Sequence, residues 1–172
     1  MKLTKIERLI LSNQYRILAS LYPDEAKAFE TNRKVVEEGY TYQYSWLADH
    51  LSSEVPEEDS RYVLDVLDMF SDLLFSFDQL TDKSGIDAYD VKFRGFDGNN
   101  ETSLMSYARF FVQDLDRYNE FQNHDFNSHM PTTALYSRML EVYRPIKAAC
   151  REGMRRLSKD EIIQIIESKK LA

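Results

Sequence analysis

The segment from Glu57 to Leu80 constrains the fold of this chain more than any other. Its apolar residues recur at helical spacing and form one stripe made of Val63, Val66, Leu67, Phe70, Leu73, Leu74 and Phe77. The opposite side is acidic and carries Asp65, Asp68 and Asp72. This pattern is typical of an amphipathic helix that buries its apolar face in a core. We therefore predict a long core helix with an acidic back over residues 57–80.

The composition favours helices throughout the chain. Its 172 residues include only five Gly and four Pro, but eleven Tyr and ten Phe. Few helix breakers and many large side chains indicate long, packed helices. A chain of this length buries enough surface for one core. The sequence thus predicts an all-α, multihelical single domain of six to seven helices over residues 1–172.

Start and stop signals mark the other helices. Thr4 with Glu7, and Ser158 with Glu161, have the spacing of a capping box, and Gly39 suits a helix end. These predicted helices cover residues 4–20, 23–38, 42–51, 101–119, a segment opened by Pro131 and a last segment opened by Ser158. Pro145 is expected to kink or end its helix near Arg144, because its ring clashes one turn back.

Two irregular stretches, 81–100 and 120–130, interrupt the helical pattern. We expect both to lie against helix ends, with a short strand at 91–93. The core is expected to come from the helices at 4–20, 57–80 and 101–119 and from the helix that Pro131 opens.

The first helix has an unusually wide apolar arc, which indicates that it is either central in the fold or buried in an oligomer interface. Asn13 and Gln14 lie inside this arc, where an unpaired amide costs about 1–3 kcal/mol. Both side chains therefore need partners. Bonds to a neighbouring backbone are the simpler interpretation, and a polar contact between subunits is the alternative.

Charge and cysteine content exclude several classes of protein. The formal net charge is −7, which opposes general nucleic-acid binding because phosphates attract Lys and Arg. The single cysteine, Cys150, cannot form an internal disulfide, and no apolar run is long enough to cross a bilayer. Residues 1–21 have no small-residue cleavage site. A cytosolic protein without a membrane partner is expected.

Residues 144–159 depart from the acidic character of the chain, with six basic residues and one acidic residue. Such asymmetry is typical of a solvated face or of a contact with the protein's own acidic surface. Arg151, Arg155 and Arg156 are candidate interface residues that would face either the acidic back of residues 57–80 on a neighbouring subunit or an external anion.

Several segments of the chain together resemble the sequence pattern of one known family. The first is Arg8 to Tyr15, which reads RLILSNQY. Further similar segments follow in the family's order: Gly95-Phe96-Asp97, Tyr107-Ala108-Arg109-Phe110, Arg117-Tyr118 with Phe121, His124 with Phe126-Asn127, Pro131, and Tyr136 with Arg138-Met139-Leu140. These segments resemble the YfbU family of bacterial proteins, and the resemblance covers nearly the full chain. It implies an all-helical, cytosolic and self-associating protein, and it implies no particular reaction or ligand.

Asp114 is predicted to lie on the apolar face of the helix at 101–119. Its charge should be paired with Arg109 or Arg117, or be suppressed by burial. An acid perturbed in this way is a candidate for a functional site. A structural ion pair explains it more simply, because no nucleophile or base lies beside it at helical spacing.

Two loop clusters contain potential ligands for a metal. His124, Asp125 and His129 have the right chemistry for zinc, but their spacing matches no strong metal signature. A loop in which the histidines and Asn127 cap helix ends is the simpler interpretation. The run Asp97, Asn99 and Glu101 fails the spacing of a calcium-binding EF-hand, and a cap for the helix at 101–119 explains it better. We predict no metal.

Function is the least determined property. The chain has no glycine-rich phosphate loop, nucleophile elbow or paired cysteines, so no catalytic residue and no cofactor is predicted. The leading hypothesis is a protein-interaction or regulatory module that acts as a homo-oligomer. Its contacts would use Asn13, Gln14 and the basic residues named above, and an unidentified protein is a further possible partner. One alternative is a nucleic-acid-associated regulator that uses residues 144–159. Nucleic acid is a less expected partner than a second copy of the chain. The other is an enzyme around the 117–129 loop. The candidate ligand or partner site comprises Asp97, Arg109, Asp114, Arg117, His124, Asp125 and Asn127.

Overall fold

The computed structural model describes residues 1–149 and 156–169. Apart from one isolated bridge, these residues form helices, turns and loops and no strand, so the chain is all-α and multihelical as predicted. Within the same residues, none of the helices combines the length and the hydropathy that a bilayer span requires. The chain divides into two compact units, Met1–Glu54 and Val55–Ala172, which are described in turn.

The first unit is a helical hairpin. Helix α1 spans Lys5–Leu21, and a single 3-10 turn at Pro23–Glu25 leads into α2, Ala26–Glu38. The predicted capping box is confirmed, since the Thr4 side chain accepts from the Glu7 amide and the Glu7 carboxylate accepts from Thr4. Gly39 ends α2 with a φ of 74°, as its position predicted.

The segment after α2 is a 3-10 helix, Thr41–Ala48, and not the α-helix predicted at 42–51. No side chain caps its N-terminus, and Tyr44 is its single buried residue. Without a cap or a continuous buried stripe, little favours the α-form over the tighter turn.

The second unit contains the hydrophobic core. Helix α3, Glu57–Asp78, buries the predicted stripe, including Val63, Val66, Leu67, Phe70 and Leu73. Against it pack α4, Thr102–Arg109, α5, Thr133–Ala148, and α6, Lys159–Ser168. The capping box of Ser158 and Glu161 opens α6 as predicted.

Helix α1 contributes none of the described residues of this core cluster, so its predicted place in the core is wrong. All 17 residues of α1 are described, and Ser12 is the one that is buried. Helix α6 supplies apolar side chains to the core instead, with Ile162, Ile165 and Ile166. Helical periodicity shows that one face of α1 is apolar, but it cannot show what covers that face.

Two helices differ from their predicted bounds. Helix α4 ends at Arg109, and a π-helical turn follows at Phe110–Asp114, so the predicted helix to residue 119 is too long. Helix α5 continues through Pro145 to Ala148. The carbonyl that loses its N–H partner to this proline belongs to Glu141, an exposed residue, so water can replace the missing bond.

The irregular stretches form part of the core. Phe93, Phe96 and Phe126 are each about 1% exposed or less and lie in one aromatic cluster. The two stretches pair directly, because the amide of Phe96 donates to Phe126 and the amide of Ser128 donates back to Phe96. The short strand predicted at 91–93 is absent from these described residues, and the isolated bridge of Phe96 to Asn127 takes its place.

Candidate functional site

The outward face of α1 is an exposed apolar surface of the first unit. Its aliphatic side chains are each more than half exposed: Ile6, Leu9, Ile10, Ile17 and Leu21. Asn13 and Gln14 lie among them and are also exposed. These seven residues recur at helical spacing along one side of the helix, and we call them the α1 stripe.

The opposite side of α1 holds α2. The Arg8 guanidinium donates to the carbonyls of Val36 and Glu37, both at 2.6 Å, and the Ser12 hydroxyl donates to the Glu37 carboxylate at 2.7 Å. The two Arg8 bonds satisfy carbonyls at the C-terminal end of α2, where no following helical turn supplies N–H donors. The segment Arg8 to Tyr15 therefore fixes the hairpin with one side and contributes to the α1 stripe with the other.

Asn13 and Gln14 do not make the bonds to a neighbouring backbone that were the simpler interpretation, and a polar contact between subunits stays a prediction. In the described part of the chain, neither side chain makes a hydrogen bond. Both are exposed, so water satisfies them and the cost of an unpaired buried amide does not arise.

A buried carboxylate, Glu101, organises the second unit. Its residue is 9% exposed, and its two oxygens accept from the backbone amides of Thr132 at 2.9 Å and Thr133 at 2.7 Å. The hydroxyls of both threonines and the amide of Asp97 also donate to it. Burial alone would raise the pKa of Glu101, but the hydrogen bonds from Thr133, Asp97 and Thr132 outweigh burial and lower it.

Glu101 therefore caps α5, and not its own helix as the sequence predicted. The N-cap of α4 has no side-chain hydrogen bond, whereas the first amides of α5 point at the Glu101 carboxylate. Asp97 is buried, and its carboxylate accepts from the amide of Asn99 and the side chain of Asn100. Its role is to shape the loop before α4.

A cleft of about 400 Å³ opens beside Thr132, one of the residues that donate to Glu101. It gathers three of the predicted site residues, His124, Asp125 and Asn127. Two cations that the sequence analysis did not single out, Lys92 and Arg94, also line the cleft. The Arg94 guanidinium lies 4.2 Å from the centre of the Tyr89 ring and 3.8 Å from the Asp90 carboxylate.

The polar groups of the cleft mainly join loops. The Asn127 side chain accepts from the amides of Gly98 and His129, so it bridges two loops rather than capping a helix end. The His124 ring packs edge-on against Phe121. His129 lies 3.9 Å from Asp125, and both side chains are largely exposed. No three metal-ligating side chains converge within residues 1–149 and 156–169.

Three other predicted site residues lie elsewhere. Arg109, Asp114 and Arg117 are exposed and are not among the residues that line this cleft. The predicted pairing or burial of Asp114 is wrong for the described chain, because the π-helical turn rotates this residue away from the apolar face. The combination of His124, Asp125 and Arg117 in one pocket is therefore not observed.

The described cations of the basic segment contact the chain itself. Arg144 pairs with Asp65 at 2.7 Å, and Lys147 pairs with Asp68 at 2.8 Å. These aspartates belong to the acidic back of α3, so two cations of the basic segment contact that surface within one chain.

The rest of the segment behaves in the same way where it is described. Lys159 pairs with Asp82 at 2.6 Å, and Arg156 donates to the carbonyl of Gln79. Arg151 and Arg155 lie outside the described residues.

Two tyrosines strengthen the contact of α3 with its neighbours. The hydroxyl of Tyr143 donates to Asp72 at 2.6 Å, and that of Tyr118 donates to Asp68 at 2.5 Å. Burial and the adjacent carboxylates raise the pKa of both tyrosines well above the usual value.

Sequence reasoning missed the role of Glu101 because the α5 amides that it caps are 31 and 32 positions away. The one available signal was the start of α5, where Pro131 and two threonines are not followed by a local acidic partner at capping-box spacing. Such a helix start needs a cap from elsewhere in the chain.

Comparison with protein families agrees with these observations. The sequence model of the YfbU domain matches residues 1–168. The matched residues include the α1 stripe, Glu101 with its hydrogen-bond partners, and the loops that line the cleft. The chain belongs to the YfbU family.

Proposed function

We propose that this chain is a protein-interaction module of the cytosol that acts as a homo-oligomer, with the α1 stripe as its contact surface. The observation that carries the proposal is the exposure of five aliphatic side chains on one face of one helix. Single exposed apolar residues are common, but a contiguous apolar face is typical of a surface that binds another protein.

The two sides of α1 support this assignment. The inner side contacts α2, because Arg8 and Ser12 hold the end of that helix. The hairpin is thus fixed without the α1 stripe, which is left available for a second molecule. Burial of a large aliphatic side chain contributes about 1.5–3 kcal/mol, so even the exposed fraction of each residue is a substantial driving force.

Charged substitutions within the α1 stripe test the proposal. The double variant Ile10→Glu with Ile17→Glu should dissociate at concentrations where the unmodified chain is assembled. A carboxylate forced into an apolar contact loses its hydration without gaining a partner, so we expect the dissociation constant to rise by at least about 100-fold. Sedimentation velocity measures this change.

A matched control places the same charges on α2. Ala28 and Thr31 are exposed residues of that helix, and Ala28→Glu with Thr31→Glu adds the same two carboxylates outside the α1 stripe. The control should assemble like the unmodified chain. Equal dissociation of both variants, or normal assembly of the Ile10 and Ile17 variant, would contradict the proposal.

The cleft of the second unit favours a second candidate function, the binding of a small anionic molecule. The supporting observation is that Lys92, Arg94 and His124 line one cleft, although the chain as a whole has a net charge of −7. Cations lining a cleft raise the local concentration of anions.

Inorganic phosphate and succinate are suitable probes for this second function, read out by the NMR signals of the histidine rings. Saturable shifts of His124 and His129, with none at His50 outside the cleft, would support it. Equal shifts at all three histidines, or none, would exclude a site for these anions.

The nucleic-acid alternative has the least support. The described cations of residues 144–159 already contact carboxylates and carbonyls of the chain itself. Phosphates would have to displace these intramolecular contacts before binding.

A further inference from the structure

We infer that the partner of the α1 stripe is the α1 stripe of a second copy of this chain, packed antiparallel about a two-fold axis that passes between Asn13 and Gln14. This inference rests on the proposed function, and it adds the identity of the partner, the direction of the two helices and their register.

The α1 stripe has the same chemistry when it is read in either direction. On either side of the midpoint between residues 13 and 14, Ile10 corresponds to Ile17 and Ile6 corresponds to Leu21. An antiparallel two-fold contact places each residue opposite its counterpart in the other copy. Aliphatic side chains then meet aliphatic side chains at both ends of the contact.

The two amides at the centre obey the same symmetry. In this register Asn13 of one copy faces Gln14 of the other, and the pair occurs twice because the contact is two-fold. Each side chain has both a donor and an acceptor, so each pair satisfies its own polar groups. A buried amide pair at the centre of an apolar seam also fixes the register, because any slip leaves the amides without partners.

The symmetry favours the antiparallel direction over the parallel one. A parallel two-fold contact pairs each residue with itself and requires no relation between the two halves of the helix. An antiparallel contact requires the halves to match, and six of the seven stripe residues form matched pairs, while Leu9 corresponds to Leu18, which is partly buried. The helix dipoles also oppose each other in the antiparallel arrangement, which is favourable.

Nothing in the first unit blocks this contact. Arg8 and Ser12, which hold α2, lie on the side of α1 away from the stripe. The stripe extends from Ile6 to Leu21, about 22 Å along the helix axis, which is enough for four turns of contact.

Distances between spin labels test the direction and the register. Lys5 and Arg16 are exposed residues on the same flank of the stripe, and each can be changed singly to cysteine in a chain whose one native cysteine, Cys150, is replaced by alanine. In the antiparallel register, two copies of position 5 are about 26 Å apart along the axis and two copies of position 16 about 8 Å apart. Pulsed and continuous-wave EPR together cover this range.

The expected result is a long separation for the Lys5→Cys label and a short one for the Arg16→Cys label. A parallel contact would give equally short separations at both positions and would overturn the inference. An antiparallel contact in another register would change the two separations and would overturn the assigned axis. Light scattering on the same samples separates the failures: a dimer with the wrong distances refutes this inference alone, whereas a monomer refutes the proposed function as well.

Discussion

Replacement of Glu101 by glutamine should destabilise the second unit more than any other change of a single carboxylate. The substitution keeps the size of the side chain but replaces one acceptor oxygen with an NH₂ group. Each oxygen of Glu101 accepts from at least one backbone amide and one hydroxyl. In the glutamine variant, the amide and hydroxyl donors on one side therefore face the NH₂ group, which is itself a donor. Loss of about two hydrogen bonds to a charged acceptor, at about 1.5–3 kcal/mol each, lowers the free energy of unfolding by about 3–6 kcal/mol.

This loss should be measured by urea denaturation and by thermal unfolding at neutral pH. For a chain of this size, the melting temperature should fall by roughly 6–24 °C. Glu141→Gln is the matched control, because Glu141 is an exposed residue of α5 that undergoes the same chemical change. It should leave the melting temperature unchanged.

The pH dependence of the difference provides a second readout. Hydrogen bonds hold the pKa of Glu101 below its ordinary value of 4.5, so this group stabilises the fold above that pH. The stabilisation is lost as the pH falls through the lower, folded-state pKa. The gap between the unmodified chain and Glu101→Gln should therefore narrow below pH 4.5. A gap that is constant with pH, or no larger than that of Glu141→Gln, would refute the reasoning.

Three further predictions concern the backbone, a tyrosine and the hairpin. Gly95→Ala should lower the melting temperature far more than Gly85→Ala, because both positions have a positive φ but only at Gly95 would a Cβ lie 2.0 Å from a carbonyl oxygen; equal shifts would contradict this. Tyr143→Phe should lose less stability above pH 10 than the unmodified chain. The raised folded-state pKa of Tyr143 stabilises the fold fully below pH 10, and this stabilisation falls as the pH rises and the tyrosine ionises in the unfolded chain; parallel pH profiles in urea denaturation would argue against it. Arg8→Ala should speed amide hydrogen exchange at the end of α2, unlike Arg16→Ala, whose side chain is exposed; equal effects of the two would count against the role of Arg8.

Local signals predicted much of the secondary structure. The capping boxes at Thr4 and Ser158 mark the starts of α1 and α6, and Gly39 marks the end of α2. The apolar stripe of residues 57–80 became the central core helix α3. Each of these signals acts over a few residues of contiguous chain, so a single sequence is enough to reveal it.

Features that depend on distant parts of the chain were not predictable in this way. Glu101 lies at the start of α4 and caps α5, and only the fold brings the two together. The π-helical turn at Phe110–Asp114 shifts the register, so Asp114 faces solvent instead of the apolar side. A periodic pattern assumes constant helical geometry, so it cannot reveal a change from an α-helical to a π-helical turn.

The candidate site illustrates the same limit. The sequence showed that α1 has a wide apolar arc, but not that the core of the second unit would form without it. It grouped His124, Asp125 and Asn127 correctly because they are close in sequence. Lys92 and Arg94 were missed because only the fold brings their loop against the 120–130 stretch, through bonds such as that of Phe96 to Phe126.

The mass of the unmodified chain in solution tests the central claim most directly. An exposed apolar face on α1 that serves as a self-contact predicts, by light scattering at micromolar concentration, at least twice the chain mass of 20.3 kDa. Dilution should shift this mass towards that of one chain, because association follows mass action. A mass of 20.3 kDa at every concentration would contradict the account.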